Sequence, residues 1–163
     1  MLRFLKRLWG KIRVYVVFAA IALAAGGLAG LLSGSEMADF EALRKPPLSP
    51  PGWLFPVVWS TLYVLMGVGA GRVWRASSGE LRRDAIYLWG AQLLVNFFWT
   101  IIFFVFQYRL FAAVWLALLL TLVIAMTLKF AKIDKPAAYL QLPYLLWLCF
   151  ALYLNLGVWY LNK

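Results

Sequence analysis

The sequence predicts an all-α membrane protein in which five transmembrane helices form a bundle. Its 163 residues are 65% hydrophobic and only 13% charged, whereas soluble domains are about 25% charged. All 22 charged residues lie outside five uninterrupted stretches: 14–35, 46–71, 85–108, 110–128 and 136–162. Each stretch is long enough to cross a hydrocarbon core of about 30 Å at about 1.5 Å per residue.

One membrane domain is predicted over residues 14–162. Its five spans are about 14–33, 53–73, 85–106, 110–130 and 138–161. The segment before it, 1–13, is basic. We interpret this segment as a retained cytoplasmic N-terminus, because the apolar run that follows is long for a signal peptide and has no clear cleavage pattern.

The distribution of Lys and Arg between alternate loops predicts the orientation in the membrane. With the N-terminus inside, twelve of the 16 basic residues lie on the inner side and four on the outer side. The positive-inside rule therefore places the N-terminus in the cytoplasm and the C-terminus outside. The net charge of +10 indicates a lipid bilayer as the partner and not nucleic acid. We expect an integral multi-pass protein of a bacterial inner membrane.

The chain has no histidine and a single cysteine, Cys149. These counts exclude an internal disulfide, a zinc site of Cys and His ligands, a Ser-His-Asp or Cys-His catalytic unit and a haem ligated by histidine from this chain. No ionisable residue lies at the centre of a predicted span, which disfavours a charge-coupled transporter. We expect no metal and no tightly bound cofactor.

The only long loop, 33–52, carries half of the six acidic residues and four prolines: Pro46, Pro47, Pro50 and Pro51. Proline fixes φ and removes a backbone donor, so we expect a stiff, extended segment. Long ordered loops of compact proteins are often functional, and we interpret this one as a lid.

Three further features concern helix packing. The connection at 107–109 is so short that the third and fourth spans must form an antiparallel hairpin. Pro143 should kink the fifth span. In the first span, small residues recur at every fourth position, at Ala22, Gly26, Gly30 and Gly34. Small side chains let helices approach closely in lipid, so this stripe indicates packing within the bundle, with a dimer face as the alternative.

Aromatic and amide side chains inside the spans predict either a pocket or polar helix contacts. Buried indole and amide groups in hydrocarbon require a partner or a cavity. On the third span, Gln92, Asn96 and Trp99 fall on one face. The fifth span presents a second such face with Trp147, Ala151, Leu154 and Asn155. If opposed, the two faces would form an aromatic pocket for a flat hydrophobic ligand, but polar helix–helix packing explains the pattern equally well.

Several motifs resemble those of the TspO/MBR family, the tryptophan-rich sensory proteins related to the mitochondrial translocator protein (peripheral benzodiazepine receptor). Residues 40–53 read FEALRKPPLSPPGW and residues 55–63 read FPVVWSTLY. The third span resembles the family through Gln92, Asn96 and Trp99, and the fifth through Pro143 and Asn155. The resemblance covers about residues 14–162, in the same order and spacing.

The resemblance implies a TspO-like five-helix bundle that forms a homodimer, with a pocket closed by the first loop. It implies binding of tetrapyrroles such as protoporphyrin IX and haem, and in relatives of cholesterol and benzodiazepine-type ligands, with a role in tetrapyrrole or stress regulation. The pocket residues that it carries over are Trp59, Trp99, Phe104, Phe111, Trp147, Ala151, Leu154 and Asn155. Pro47 and Leu48 depart from the family pattern in the lid, and Phe111 stands where animal members tend to have Trp.

The leading functional hypothesis is a receptor-like protein that binds a porphyrin in this pocket. A second is degradation of bound porphyrin in light, with Trp59 and Trp99 as candidate catalytic residues; the chemistry would belong to the excited pigment and oxygen, since the chain has no acid–base machinery. A porphyrin or sterol transporter is a third, although no pair of broken helices is recognisable. A membrane scaffold whose aromatics only pack is the fourth.

Overall fold

The computed structural model describes residues 2–163, with the backbone alone at 2–8, 11, 37 and 38. Five long helices cross the molecule: α1 (Leu2–Ser33), α3 (Leu54–Ala76), α4 (Gly79–Thr100), α5 (Arg109–Ile133) and α7 (Leu142–Leu161). Two short helices, α2 (Met37–Glu41) and α6 (Lys135–Tyr139), precede α3 and α7. The 3₁₀ turn Gly34–Glu36 follows α1, and the π-helix Ile101–Val105 continues α4. No strand occurs in the described residues.

The predicted fold class, an all-α bundle of five membrane-spanning helices, is confirmed. Five segments are long and apolar enough to span a bilayer: Ile12–Glu36, Leu54–Ala76, Gly79–Val105, Arg109–Ile133 and Lys135–Leu161. The chain is therefore an integral multi-pass membrane protein. Its lid end, as we call it, holds the segments 34–53 and 106–108 and the C-terminus. The opposite end holds the short connections near Ser78 and Asp134.

Helices α1 and α3 approach most closely in the half of the membrane away from the lid end. A Cβ atom on Gly67 would overlap the backbone of Ala19, and one on Gly71 would lie 2.8 Å from Cδ1 of Tyr15. Glycine is therefore required on α3 for the two backbones to touch, which is the packing mode that small residues provide in lipid.

Helix α5 forms the centre of the apolar core. Its inward positions are fully buried between α4 and α7; they are Leu116, Leu119, Val123, Met126 and Phe130. The outward positions, such as Leu118 and Leu128, remain exposed and apolar, as expected for side chains that face lipid.

A polar network joins three helices at mid-membrane. The hydroxyl of Tyr63 donates to Oδ1 of Asn96 (2.9 Å), and Nδ2 of Asn96 donates to the hydroxyl of Tyr144 (2.7 Å). The Tyr144 hydroxyl donates in turn to Oε1 of Gln92 (2.9 Å). Gln92 and Asn96 therefore act as helix contacts, and their polar groups are paired where water is absent.

The end opposite the lid is held together by ion pairs. Nε of Arg72 on α3 lies 2.6 Å from Oδ2 of Asp134, and a second guanidinium nitrogen lies 3.2 Å from Oδ1. Asp134 also caps α6 by accepting from the backbone N–H of Ala137 (3.2 Å). Lys129 pairs with Asp84 at 3.3 Å, which links α5 to α4. These contacts fix the connection between α5 and α6 against α3.

The fifth span differs from the expectation of a single kinked helix. It consists of α6 and α7, which are separated by a turn at residues 140–141. Pro143 lies in the first turn of α7, where a missing N–H costs no helical hydrogen bond, so it begins a helix instead of bending one. Nε2 of Gln141 bridges the break by donating to the carbonyls of Ala137 (3.2 Å) and Leu65 (3.4 Å).

The lid also differs from the expectation of an extended segment throughout. Residues 34–41 form the 3₁₀ turn and α2, and only the part after Ala42 is irregular. The physical reason is the position of the prolines: the first is Pro46, so the earlier residues keep the backbone donors that helical turns need. The lid therefore has a helical half, 34–41, and a proline half, 42–53.

Candidate functional site

A cavity of about 300 Å³ lies at the lid end, between α1, α3, α4 and α7 and beneath α2. Its size is at the lower end of the range for small-molecule pockets, about 300–1,000 Å³. None of the described residues that line it is charged. The wall consists of Leu23, Gly26, Gly27, Gly30, Phe40, Phe55, Pro56, Trp59, Ser60, Tyr63, Trp99, Thr100, Phe103, Phe104, Ala151, Leu154, Asn155 and Val158.

Trp59 of α3 is the aromatic centre of the cavity wall. Its ring stacks on Tyr63 with centroids 5.7 Å apart, and its centroid lies 6.0 Å from that of Trp99 on α4. Trp99 stacks in turn on Phe103, with centroids 5.7 Å apart. Such offset contacts between rings stabilise one another and leave a broad aromatic face towards the cavity.

The roof of the cavity is Phe40 of α2, which was not among the predicted pocket residues. Its ring lies 5.7 Å from Phe103, 5.4 Å from Phe104 and 6.4 Å from Phe55, measured between centroids. Phe103 and Phe104 both belong to the π-helix Ile101–Val105. A π-helix re-aims successive side chains, and here two adjacent phenylalanines reach the same roof.

The proline half of the lid is fixed to α7. The backbone N–H of Arg44 donates to Oδ1 of Asn162 (3.1 Å), and Nδ2 of Asn162 donates to the carbonyl of Arg44 (2.8 Å). The hydroxyl of Tyr153 donates to the carbonyl of Pro47 (2.8 Å). Pro46 is buried against Gly157, where a Cβ atom would lie 2.6 Å from the proline Cβ. The helical half that carries Phe40 has no comparable anchor among the described contacts.

Leu48 does not contribute to the roof. It is 83% exposed and has a φ of 67°, in the turn that the N–H of Ser49 closes on the carbonyl of Pro46. The aromatic contacts of the roof are made instead by Phe40.

Three polar side chains of the wall, those of Trp99, Asn155 and Thr100, are paired inside the protein. The indole N–H of Trp99 donates to Oδ1 of Asn155 (3.3 Å), and Nδ2 of Asn155 donates to the carbonyl of Arg109 (2.7 Å). The hydroxyl of Thr100 donates to the carbonyl of Asn96 (3.4 Å). These contacts occupy the polar groups of the three side chains, so a ligand meets them mainly through their apolar surface.

The structure brings most of the predicted pocket residues to one cavity. Trp59 lies on α3, Trp99 and Phe104 on α4 and its π-helical continuation, and the rest on α7. Those that line the wall are Trp59, Trp99, Phe104, Ala151, Leu154 and Asn155. Their predicted role in ligand binding stays a prediction.

Two predicted pocket residues lie outside the wall. Trp147 packs edge-on behind Trp59, with centroids 6.4 Å apart, and its buried indole nitrogen has no partner within the described part of the chain. Phe111 is 51% exposed and borders a shallow surface groove with Tyr108, Val114 and others, between α5 and α7. Trp147 therefore supports the ring that faces the cavity, whereas Phe111 faces away from it.

The first helix was absent from the predicted pocket, yet it supplies one wall. Gly26, Gly27 and Gly30 line the cavity, and Gly30 has no neighbouring atom within 4 Å of an added Cβ. Of the stripe of small residues, Ala22 is packed, whereas Gly30 and Gly34 meet open space. The stripe of small residues could have indicated this wall, because the missing side chain of glycine leaves room either for a neighbouring helix or for a cavity.

Comparison with known proteins agrees with this architecture. The TspO/MBR family matches residues 17–161. Protein CrtK of Rhodobacter capsulatus is 39% identical over 150 residues, which are 91% of each chain. Tryptophan-rich protein TspO of Chlorobaculum tepidum is 36% identical over 76% of this chain and 78% of its own. The translocator protein of Ovis aries is 34% identical over 85% of this chain and 84% of its own. The chain belongs to the TspO/MBR family.

Proposed function

We propose that the protein binds a tetrapyrrole such as protoporphyrin IX or haem in the cavity under the lid, as a receptor-like membrane protein in tetrapyrrole or stress regulation. The observation that carries this proposal is the pair Trp59 and Trp99. Their rings, 6.0 Å apart and tilted by 35°, line a cavity without charged groups. A flat conjugated ligand stacks on such rings, at about 0.5–1.5 kcal/mol for each good aromatic contact beyond the area it buries.

The paired wall residues determine how such a ligand is held. The polar groups of Trp99, Asn155 and Thr100 form hydrogen bonds within the protein. The interior therefore offers a ligand mainly stacking and apolar contact. Carboxylate groups of the ligand must therefore remain at the mouth of the cavity, in contact with the interface. Without a histidine in the chain, a metal-free porphyrin should bind at least as well as haem.

Replacing Trp59 by alanine should weaken the binding of protoporphyrin IX about tenfold, equivalent to about 1.4 kcal/mol, because the stacking face is lost. The measurement is a titration of the purified protein in detergent or nanodiscs, followed by porphyrin absorbance and by tryptophan quenching. Trp74→Ala is the matched control, since Trp74 lies on the same helix but away from the cavity. An equal loss of affinity in both variants, or no saturable binding by the unmodified protein, would contradict the proposal.

A second candidate function is light-dependent degradation of the bound porphyrin, with oxygen as oxidant. The close contact of Trp59 with Trp99 and Tyr63 favours it, because neighbouring rings provide an oxidisable path beside the pigment. We expect Trp59→Phe to bind porphyrin but to slow the appearance of a new absorbing product under illumination several-fold. Trp74→Phe serves as control. Degradation at the unmodified rate in Trp59→Phe would leave binding as the function.

We further propose an orientation in the membrane and a homodimer. The excess of basic residues at the end opposite the lid supports a cytoplasmic N-terminus and an external lid in a bacterial inner membrane. The exposed apolar faces of the helices are compatible with a homodimer within the bilayer.

A further inference from the structure

The cavity is open on one side, towards the surface that faces lipid. Among its wall residues, Leu23, Gly27 and Gly30 of α1 and Pro56 and Ser60 of α3 are exposed. These two sets face each other across the outer gap, as we call the opening between α1 and α3 at the lid end. Residues 23–30 extend about 10 Å along α1 at about 1.5 Å per residue, so the gap opens within one leaflet of the bilayer.

The shape of this gap follows from the packing of the two helices. Away from the lid end, Gly67 and Gly71 bring the backbones of α3 and α1 into contact. Nearer the lid, the ring of Tyr63 lies against Gly26, where a Cβ atom would overlap it. The Tyr63 hydroxyl is fixed by Asn96 at 2.9 Å, so the ring acts as a spacer between the helices. Beyond this spacer, Gly30 has nothing within 4 Å of an added Cβ.

We propose that the outer gap admits an acyl chain of a membrane phospholipid, which enters the cavity sideways from the bilayer and is held against the aromatic wall. The gap adjoins lipid-facing residues such as Leu31 and Val57, which are 81% and 54% exposed. The described wall residues carry no charge, and Trp99 and Asn155 already have protein partners for their polar groups, so hydrocarbon fills the cavity at little cost in unpaired polar groups. Water would find few free partners there.

The acyl chain and a tetrapyrrole would compete for the same wall, but binding of one does not require binding of the other. A phospholipid keeps its headgroup at the interface while one chain bends into the cavity. The lid need not move for this route, because the opening lies below α2 and beside α1.

The test uses phosphatidylcholine that carries a diazirine on one acyl chain, incorporated into vesicles with the full-length protein. After irradiation, mass spectrometry locates the labelled residues. We expect labelling of Phe103 and Leu154, which line the cavity and are only 5% and 8% exposed, besides the lipid-facing surface. Gly30→Phe should reduce cavity labelling at least fivefold by filling the gap. Gly90→Phe, at an exposed glycine of α4 with open space, should leave it unchanged.

Labelling confined to lipid-facing residues such as Leu31 and Leu94 in the unmodified protein would overturn the proposal. So would equal cavity labelling in Gly30→Phe and Gly90→Phe. Thermal unfolding followed by circular dichroism reports the folding of each variant, and Gly30→Leu provides a smaller plug if Gly30→Phe does not fold. Cavity labelling without saturable porphyrin binding would remove the tetrapyrrole function alone. Porphyrin binding without cavity labelling would remove the acyl-chain site alone.

Discussion

Substitution of Gly67 by leucine should destabilise the protein by about 3 kcal/mol or more and abolish the folded state under mild heating. The physical reason is contact between backbones. Already the Cβ atom would overlap the backbone of Ala19 and lie 2.7 Å from the carbonyl carbon of Phe18. Neither helix can yield locally, because a backbone atom cannot adopt another rotamer as a side chain does. Thermal unfolding of the protein in detergent, followed by circular dichroism, measures the effect.

Gly90→Leu is the matched control for this prediction. Gly90 also lies inside a long helix, but it is exposed and an added Cβ meets nothing within 4 Å. Because leucine has a higher helix propensity than glycine, by somewhat less than the roughly 0.8–1 kcal/mol that separates alanine from glycine, the control should be neutral or slightly stabilised. If Gly67→Leu unfolded at the same temperature as Gly90→Leu, the result would contradict the close contact between the backbones of α1 and α3.

Replacement of Asn96 by leucine should cost about 1–2 kcal/mol of stability, the second-largest effect that we expect. Leucine has the same branching pattern and the same number of side-chain heavy atoms, but its methyl groups are bulkier than the amide, so part of the loss comes from packing. The substitution leaves the hydroxyl of Tyr63 without its acceptor and removes the donor to Tyr144, in a region without water. The Tyr144 hydroxyl keeps its hydrogen bond to Gln92, so the Tyr63 hydroxyl is the group left unpaired. The same unfolding measurement applies.

The double variant Asn96→Leu with Tyr63→Phe separates the network from general packing. Removing the stranded hydroxyl along with its partner should recover part of the loss, because an unpaired buried donor costs more than an absent one. Tyr87→Phe, at a residue 69% exposed, controls for loss of a tyrosine hydroxyl. Strict additivity of the Asn96 and Tyr63 effects would mean that the hydrogen bond carries no coupling energy.

The fold class followed from sequence because membrane insertion imposes a simple constraint. Charges such as Arg72 and Arg109 are excluded from hydrocarbon, so the gaps between charges mark the helices. The sequence could not show that the fifth span is two helices. Pro143 is equally compatible with a kink in a continuous helix and with the first turn of a new helix. Which of the two forms depends on Gln141, whose amide spans the turn and contacts α3.

The site was predictable where the side-chain chemistry was unusual for a membrane helix. Trp99 and Asn155 could be selected because buried indole and amide groups in hydrocarbon need a partner or a cavity, and Trp59 could be selected through the family resemblance. Phe40 could not, since a phenylalanine in a loop has no pattern and its position depends on α2. Gly30 was visible, but its absent side chain is compatible with a close helix or with an open space, and only the tertiary arrangement decides between them.

Because the outer gap between α1 and α3 lies at the lid end, the protein can change its cross-sectional area in one leaflet of the bilayer and not in the other. Where Gly67 and Gly71 lock the helices, its cross-section is fixed. At the lid end, any widening between Gly30 and Ser60 enlarges the area occupied in one leaflet only. The work of that expansion is set by the lateral pressure of that leaflet, and therefore by how tightly its lipids pack. A difference in tension between the two leaflets would therefore change how readily the cavity opens, even when no ligand is bound.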